Sequence, residues 1–392
     1  MAATTPTDVE SKNPSHRSWV HLLLEALHLR HRGKAGDTDS SKYAMRSGSR
    51  SLNPEQLESM KKKTQEHDFR WTSKRRRTHD TSPEMTNRFL TLSVRALLDR
   101  GLGQTEVVSV TSDVTLATTL DVLAAHNVTS APIHSVSRGG SQWLVGIIDI
   151  EKILQVCVNV FRSDTGCLDA VFFELTLEQL EKSGLLNFSE KWAPVIDTDS
   201  LFRVLMVFLM GIHRVTVVDE SGRLIGLISQ TDVMRLLASD PELLGERASA
   251  PALAFGVPRA RVETVLDTAV TVTALNRLVN DGVSALAIMN PDTDAIVSSF
   301  SANHMKAFRA DLLHQLTLPI LEFLATRSKE QSLLVPSLSH EATLADVIAF
   351  LAQGHHRVWL VDSDMKLYGL LTQSDVTLAI CPSDASVKQS IL

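Results

Sequence analysis

A chain of 392 residues, 44% of them hydrophobic, is long enough for one large core or two to three ordinary ones. Its three cysteines, Cys157, Cys167 and Cys381, form no CxxC pair, which argues against a disulfide framework or a cysteine zinc site and for a reducing compartment, cytoplasmic and/or nuclear. The net charge of −6 divides into 16 Lys/Arg against 11 Asp/Glu in residues 1–85, net +5, and −11 in the remainder, so the acidic body is expected to be no general binder of nucleic acid.

Residues 1–85 are rich in Ser, Thr, Lys and Arg and read as a disordered basic tail. Within it, Val20, Leu23, Leu24 and Leu27 are spaced for a short amphipathic helix over 18–32. The apolar patch near residues 19–29 is interrupted by Glu25 and His28 and does not read as a secretory signal. Two basic clusters, Lys61–Lys63 and Lys74–Arg77, have the form of a bipartite nuclear-import signal or of a solvated charge run. The apolar run from Val204 to Met210 is far too short for a membrane span.

From about Met85 a β-α-β-β-α pattern repeats four times. Unit one (88–165) has a strand at Val107–Val110, a helix over Leu116–Ala125, strands at Ala131–Ile133 and Trp143–Ile148, and a helix through Ile153 and Val156. Unit two (185–245) runs Pro194–Ile196, helix Leu201–Leu209, Val215–Val218, Leu224–Ile228 and a helix over Val233–Leu237. Unit three (250–320) runs Val262–Leu266, helix Val272–Val279, Ala285–Met289, Ile296–Val297 and a helix through Met305, Phe308 and Leu312. Unit four (321–385) runs Leu333–Val335, helix Leu344–Leu351, Val358–Val361, Leu367–Leu371 and helix Val376–Ile380. Strands alternating with helices of this length give an α/β architecture. Units this small expose one sheet face each, so units one and two are expected to pair, and three and four likewise, with two pairs meeting head to head in a disc.

One stretch occurs twice without a single shift. HRVTVVDESGRLIGLISQTDV at 213–233 and HRVWLVDSDMKLYGLLTQSDV at 356–376 are 143 residues apart throughout. In each, a carboxylate (Asp232, Asp375) follows a strand end and falls in the first turn of a helix, where unpaired N–H groups and the dipole favour it. A helix cap is the plain reading; a carboxylate there can also accept both hydroxyls of a ribose. Eighteen residues earlier stand His213-Arg214 and His356-Arg357, and a guanidinium fork suits a phosphate. An acid for ribose and a cation pair for phosphate, facing one cleft, make a nucleotide site.

Both copies resemble the cystathionine-β-synthase (CBS) domain. Four in a row, with His-Arg in the second and fourth, resemble the gamma regulatory subunit of AMP-activated and sucrose-non-fermenting-related kinases, the spelling HRVWLVD being like the plant gamma-like type. The resemblance covers about 88–385 and implies AMP, ADP or ATP as regulatory ligands, no metal, and a kinase catalytic subunit and beta-type scaffold subunit as partners. It further implies ribose contacts at Asp232 and Asp375, with Ser229, Thr231, Thr372 and Ser374 lining the same turns. His213, Arg214, His356 and Arg357 would face phosphates, and Val128-Thr129 and Val283-Ser284 would line the opposing side. Unit one departs from the pattern: Lys152 stands at the acid position, where it would reach a neighbouring phosphate, and Thr129 stands where the family has arginine. In unit three either Ser301 or His304 takes the acid position. With no HExxH, Walker, G-x-S-x-G or kinase signature in the chain, a non-enzyme is expected. Three functions remain: a kinase regulatory subunit, a stand-alone adenosyl-ligand sensor, or a CBS scaffold with empty sites.

Overall fold

A computed structural model describes residues 88–137, 142–163, 170–190, 192–306, 310–327 and 335–381. The 18–32 helix, both basic clusters and the basic tail as a whole lie outside these residues. Four small sheets carry the architecture. Unit one holds β1 (Val110–Thr111), β2 (Ser130–Val136) and β3 (Gln142–Asp149), with α2 (Leu116–Ala125) between the first two strands and α3 (Ile150–Ser163) after the third. The short helix α1 (Val94–Asp99) precedes them, and α4 (Ala170–Phe173) and α5 (Leu177–Lys182) follow. Unit two repeats the plan with β4 (Val195–Ile196), α6 (Leu201–Leu209), β5 (Arg214–Val218), β6 (Leu224–Ser229) and α7 (Gln230–Ser239).

Unit three has β8 (Thr264–Leu266), α8 (Thr271–Asn280), β9 (Ala285–Met289) and β10 (Ile296–Ser301), and is followed by α9 (Ile320–Arg327). Unit four has β11 (Ser337–Ser339), α10 (Leu344–Ala352), β12 (Arg357–Val361), β13 (Leu367–Thr372) and α11 (Gln373–Ile380). A short outer strand, β7 (Val257–Pro258), adds to β13. In every sheet the first strand runs parallel to the second and the second antiparallel to the third, the order that a helical crossover followed by a hairpin dictates.

Two expectations give way. The helix expected through Met305, Phe308 and Leu312 consists, in its described parts, of 3₁₀ segments at Ala302–Met305 and Ala310–Thr317. The chain leaves the first at Lys306 (φ −57°, ψ 143°), and the Lys306 carbonyl accepts from the Arg327 guanidinium instead of a helical N–H. The strand expected at Leu333–Val335 begins later, at Ser337.

Packing does not follow chain order. Leu201 N–H donates to Leu92 O (2.7 Å) and Val94 N–H to Asp199 O (2.8 Å), so the segment that leads into unit one lies on unit two. Reciprocally, Leu116 N–H donates to Leu175 O (2.9 Å) and Leu177 N–H to Val114 O (3.0 Å), placing the leader of unit two on unit one. The second pair repeats the exchange through Leu344 to Ala250 (2.9 Å) and Ile320 to Ala269 (2.8 Å). Boundaries drawn at 88–165, 185–245, 250–320 and 321–385 therefore cut along the chain where the packing is crossed. Each strap is anchored by apolar side chains such as Phe89, Val94 and Leu97 on unit two and Leu177, Leu180 and Phe188 on unit one. Full burial of a Leu or Phe is worth about 1.5–3 kcal/mol.

Three clusters form the interior. One runs through the helices of units one and three, a second through those of units two and four. The third lies between the sheets of units three and four, where Ala287, Met289 and Ile296 meet Trp359, Val361 and Leu367. Helix packing thus joins unit one to unit three and unit two to unit four, and the sheets of units three and four pack against each other.

Candidate functional site

The duplicated turn is built by strand register. Arg214 pairs with Ser229 and Arg357 with Thr372, so each arginine stands beside the residue that ends the outgoing strand and caps the next helix. Ser229 then donates its N–H (2.8 Å) and Oγ–H (2.6 Å) to Asp232 Oδ2. In unit four, Thr372 donates N–H (2.9 Å) and Oγ1–H (2.7 Å) to Asp375 Oδ2, and Asp375 N–H returns a bond to Thr372 Oγ1 at 3.2 Å. Both carboxylates are buried, at 6% and 5% exposure. One oxygen of each thus serves as a capping box, and the other oxygen of Asp232 accepts from Arg235 Nη1 at 3.0 Å.

The same register locates the counterparts in the odd-numbered units. Ser130 pairs with Asp149 and Ala285 with Ser301, so Ser130 and Ala285 occupy the arginine position. The backbone agrees: Gln230 N–H binds His213 O, Gln373 N–H binds His356 O, and Ile150 N–H binds Thr129 O. Thr129 is therefore the counterpart of His213, and Ser130, not Thr129, the counterpart of Arg214. Ser130 matters here, since its Oγ accepts from Arg214 Nη1 across the pair at 3.2 Å. Val128 and Val283 pack against the core of units one and three, and Ser284 is half-buried at its strand entrance.

In unit three His304, not Ser301, holds the acid position: its Nδ1 accepts from Ser301 N–H at 3.0 Å, as the aspartates accept from their caps. Lys152 holds that position in unit one, but its ammonium donates to Ile147 O (3.1 Å) and Glu190 O (2.7 Å). In this structure a strand carbonyl and a loop carbonyl thus receive two of its protons. Thr231 and Ser374, in the same two turns, are bonded across the units. Gln373 Nε2 donates to Thr231 Oγ1 (2.9 Å) and Gln230 Nε2 to Ser374 Oγ (3.1 Å), a reciprocal pair that stitches units two and four together. His213 is exposed and bonded through Nδ1 to Gln230 Oε1 at 3.1 Å.

The remaining cations converge. Burial lowers the Arg214 guanidinium, while Asp149, Asp232 and Glu151 act to raise it. Arg357 is pushed down to about 10 by burial, with Glu151 as the opposing charge. Burial and the Arg214 charge lower Lys306. His356 falls to about 4 through burial, Arg214 and Arg357, and His304 to about 4 through burial, Arg357 and Arg327. Side chains from units two, three and four therefore sense one another at the centre, with Asp149 and Glu151 of unit one as the neighbouring acids. Arg357 Nη1 is buried there without a hydrogen-bond partner among the described residues. An unpaired buried donor costs about 1–3 kcal/mol, and mutual repulsion adds to it; an anion at this point relieves both. Lys306, Ser130 and Glu151 escaped the sequence reading because they lie outside the repeated stretch. Among the described residues no group of His, Cys, Asp and Glu is arranged to hold a metal ion.

Comparison with known proteins is consistent with this geometry. The CBS domain model matches residues 193–239 and 335–381, the two units with intact turns. The 5'-AMP-activated protein kinase subunit gamma-3 of Homo sapiens is 25% identical over 280 residues, covering 68% of this chain and 54% of the relative. The gamma subunit of Dictyostelium discoideum is 22% identical over 268 residues, 65% of this chain and 46% of that protein. The chain thus spans about half the length of the curated relatives it matches. In fold it is similar to a Methanocaldococcus jannaschii protein described as an archaeal homolog of the kinase gamma subunit, with TM-score 0.55, 15% identity, and coverage of 71% of this chain and 98% of that one. Two matched CBS segments, four sheets arranged as CBS pairs and the duplicated turn make this chain a CBS-domain protein that resembles the gamma subunits of AMP-activated protein kinase.

Proposed function

We propose that the chain is a non-catalytic regulatory subunit that binds adenine nucleotides (AMP, ADP or ATP) between its CBS units and thereby modulates a Ser/Thr protein kinase complex. The observation that carries the reading is that the charges of Arg214 and Arg357, from two different units, and of Lys306 all act on His356, with Arg357 Nη1 buried and unpartnered among the described residues. In this reading the phosphates lie against these four groups. The ribose is held by the second oxygens of Asp232 and Asp375, with Arg235 swinging off Asp232 as the sugar enters. The half-exposed Arg235 side chain leaves that movement open.

A ligand can shift such an assembly only by its difference in affinity for two states. Arg214, His356 and Lys306 belong to three different units, so a phosphate bridging them favours one relative placement of the units. Partners are taken by analogy with the similar gamma subunits: a kinase catalytic subunit and a beta-type scaffold, in the cytoplasm and/or nucleus. Calorimetric titration with AMP, ADP and ATP tests the binding half. Wild type should bind at least one of them, Arg214→Ala should weaken it tenfold or more, and Asp375→Asn should weaken it while keeping the helix cap. Absence of binding by all three nucleotides overturns the reading. Co-purification with a kinase subunit from the native cell tests the other half.

A further inference from the structure

Helix α10 carries two stripes on opposite sides. Leu344, Val347, Ile348 and Leu351 are buried in the core, while Asp346, Ala349 and Phe350, at i, i+3 and i+4, face the other way. The second stripe meets Leu338 of β11 and Ala342 of the following turn around a groove of about 500 Å³. Its floor is apolar, and the small side chains of Ala342 and Ala349 leave the space between Leu338 and Phe350. Glu341 and Asp346 line the same groove and are exposed. One Asp346 oxygen caps α10 through Thr343 N–H (2.9 Å) and Oγ1–H (2.7 Å), and neither acid pairs with a cation among the described residues. This acidity is no requirement of the repeat. At the offset of 143 residues, unit two has Thr198 and Arg203 in place of the two acids, and Met206 and Val207 in place of Ala349 and Phe350.

The first described residue lies on the same side of the molecule. Arg88 Nη2 donates to Glu242 Oε2 at 3.1 Å. Eight residues after Glu242, Ala250 O accepts from Leu344 N–H (2.9 Å), and Ala252 N–H donates to Ala342 O (2.9 Å). The residues between are mostly 3₁₀ turns, at Pro241–Leu243 and Gly245–Ser249. At about 2 Å per residue they place the groove on the order of 20 Å from Glu242. Eleven residues separate Arg77 from Arg88, and they reach about 36–40 Å when extended. Upstream, residues 69–77 read FRWTSKRRR, with five basic residues and no acid. Phe69 and Trp71 are two apart, the spacing that puts side chains on one face of an extended backbone. We propose that residues 69–77 dock in cis into this groove, Phe69 and Trp71 on its apolar floor and the basic run on Glu341 and Asp346, so that the Lys74–Arg77 cluster is held against the body. Tethering through a short linker supplies an effective concentration of order millimolar. The groove uses no residue of the central cluster, so the docking is independent of nucleotide binding.

Photocrosslinking in the full-length chain tests this, with Phe69 replaced by p-benzoylphenylalanine and the linked peptides identified by mass spectrometry. The link should fall within residues 338–353. In a mixture of ¹⁴N and ¹⁵N protein it should join residues of a single copy. Raising the salt to 1 M, where the Debye length is about 3 Å, should lower the yield. Glu341→Lys/Ala349→Arg, at two exposed positions, should lower it about fivefold or more. Arg75→Glu/Arg76→Glu should do the same, and it alters no residue of the described fold. Links that fall elsewhere, or none at all, overturn the proposal, as does a yield indifferent to the charge variants. Links between heavy and light copies overturn docking in cis and assign the groove to the tail of a second copy. Should the groove variant fail to fold, the tail variant decides.

Discussion

Lowering the pH from 7.5 to 5.5 should destabilise the ligand-free chain through His304 and His356. Burial and neighbouring cations hold both at about 4, whereas an unfolded histidine titrates near 6.5. A base with a depressed folded pKa contributes stability that is complete above the unfolded value and is lost as pH falls through it. Between the two pH values the unfolded chain takes up most of one proton at each histidine and the folded chain takes up almost none. That difference is worth about 1 kcal/mol per histidine, or about 2–3 kcal/mol for the two. Carboxylates held below their usual range, such as Asp219 by the Ser221 hydroxyl and Asp346 by Thr343, lose their contribution at lower pH, outside this window. Glu181, raised chiefly by burial, acts in the opposite sense, and His355, lowered by burial, acts in the same sense as the two histidines. Urea unfolding followed by tryptophan fluorescence measures the loss, in wild type and in the double variant His304→Gln/His356→Gln. Wild type should lose about 2–3 kcal/mol and the double variant less than half as much. Stability that stays level on acidification, or a loss that persists undiminished in the double variant, refutes the assignment of both rings as buried neutral bases. Because a bound anion favours the imidazolium, saturating phosphate should shrink the wild-type loss.

Three further outcomes follow from single contacts. Gly146→Ala would place a Cβ 2.2 Å from the Phe188 carbonyl oxygen, so it should loosen the strap on unit one and cost about 1–3 kcal/mol in chemical denaturation. Asp375→Ala should lower stability by about 1–2 kcal/mol through loss of its bonds from Thr372, and Asp375→Asn should recover most of it. Arg357→Met should leave apo stability unchanged or raise it by about 1–4 kcal/mol, since it removes a buried charge with an unpaired nitrogen. Calorimetry on the same variant should show anion binding weakened at least tenfold.

Much of the fold was legible because it is local. Helices at 116–125 and 201–209 and the strand at 285–289 fall where periodicity places them, since capping residues Thr115 and Ser200 and unbroken apolar spacing act within a few residues. The crossing of leader segments was not legible. Leu92 and Leu175 are ordinary apolar residues in sequence, and only the hydrogen bonds to Leu201 and Leu116 show which unit each serves. The turn at Lys306 escaped for a related reason, as the group that satisfies its carbonyl, Arg327, lies 21 residues away.

The site shows what a repeat can and cannot convey. A strict offset of 143 residues makes His213 and His356, or Thr216 and Trp359, equivalent in local structure. Their surroundings are set by the odd-numbered units, which are not copies of each other. Where unit three places His304 and Lys306, unit one places Lys152 and Leu154, and Lys152 is tied to Ile147 and Glu190. His356 consequently sits among Arg214, Arg357 and Lys306, while His213 is exposed on Gln230. Likewise Thr216 accepts from Trp192 Nε1 at 3.0 Å, whereas Trp359 is fully buried between the sheets of units three and four with its own Nε1 unpaired. The two turns are therefore matching halves set against unlike partners. Duplication made the acid-and-arginine turns findable, and divergence of the partners left Arg357 Nη1, in the second pair, buried without a partner among the described residues, where an anion has a charge to offset.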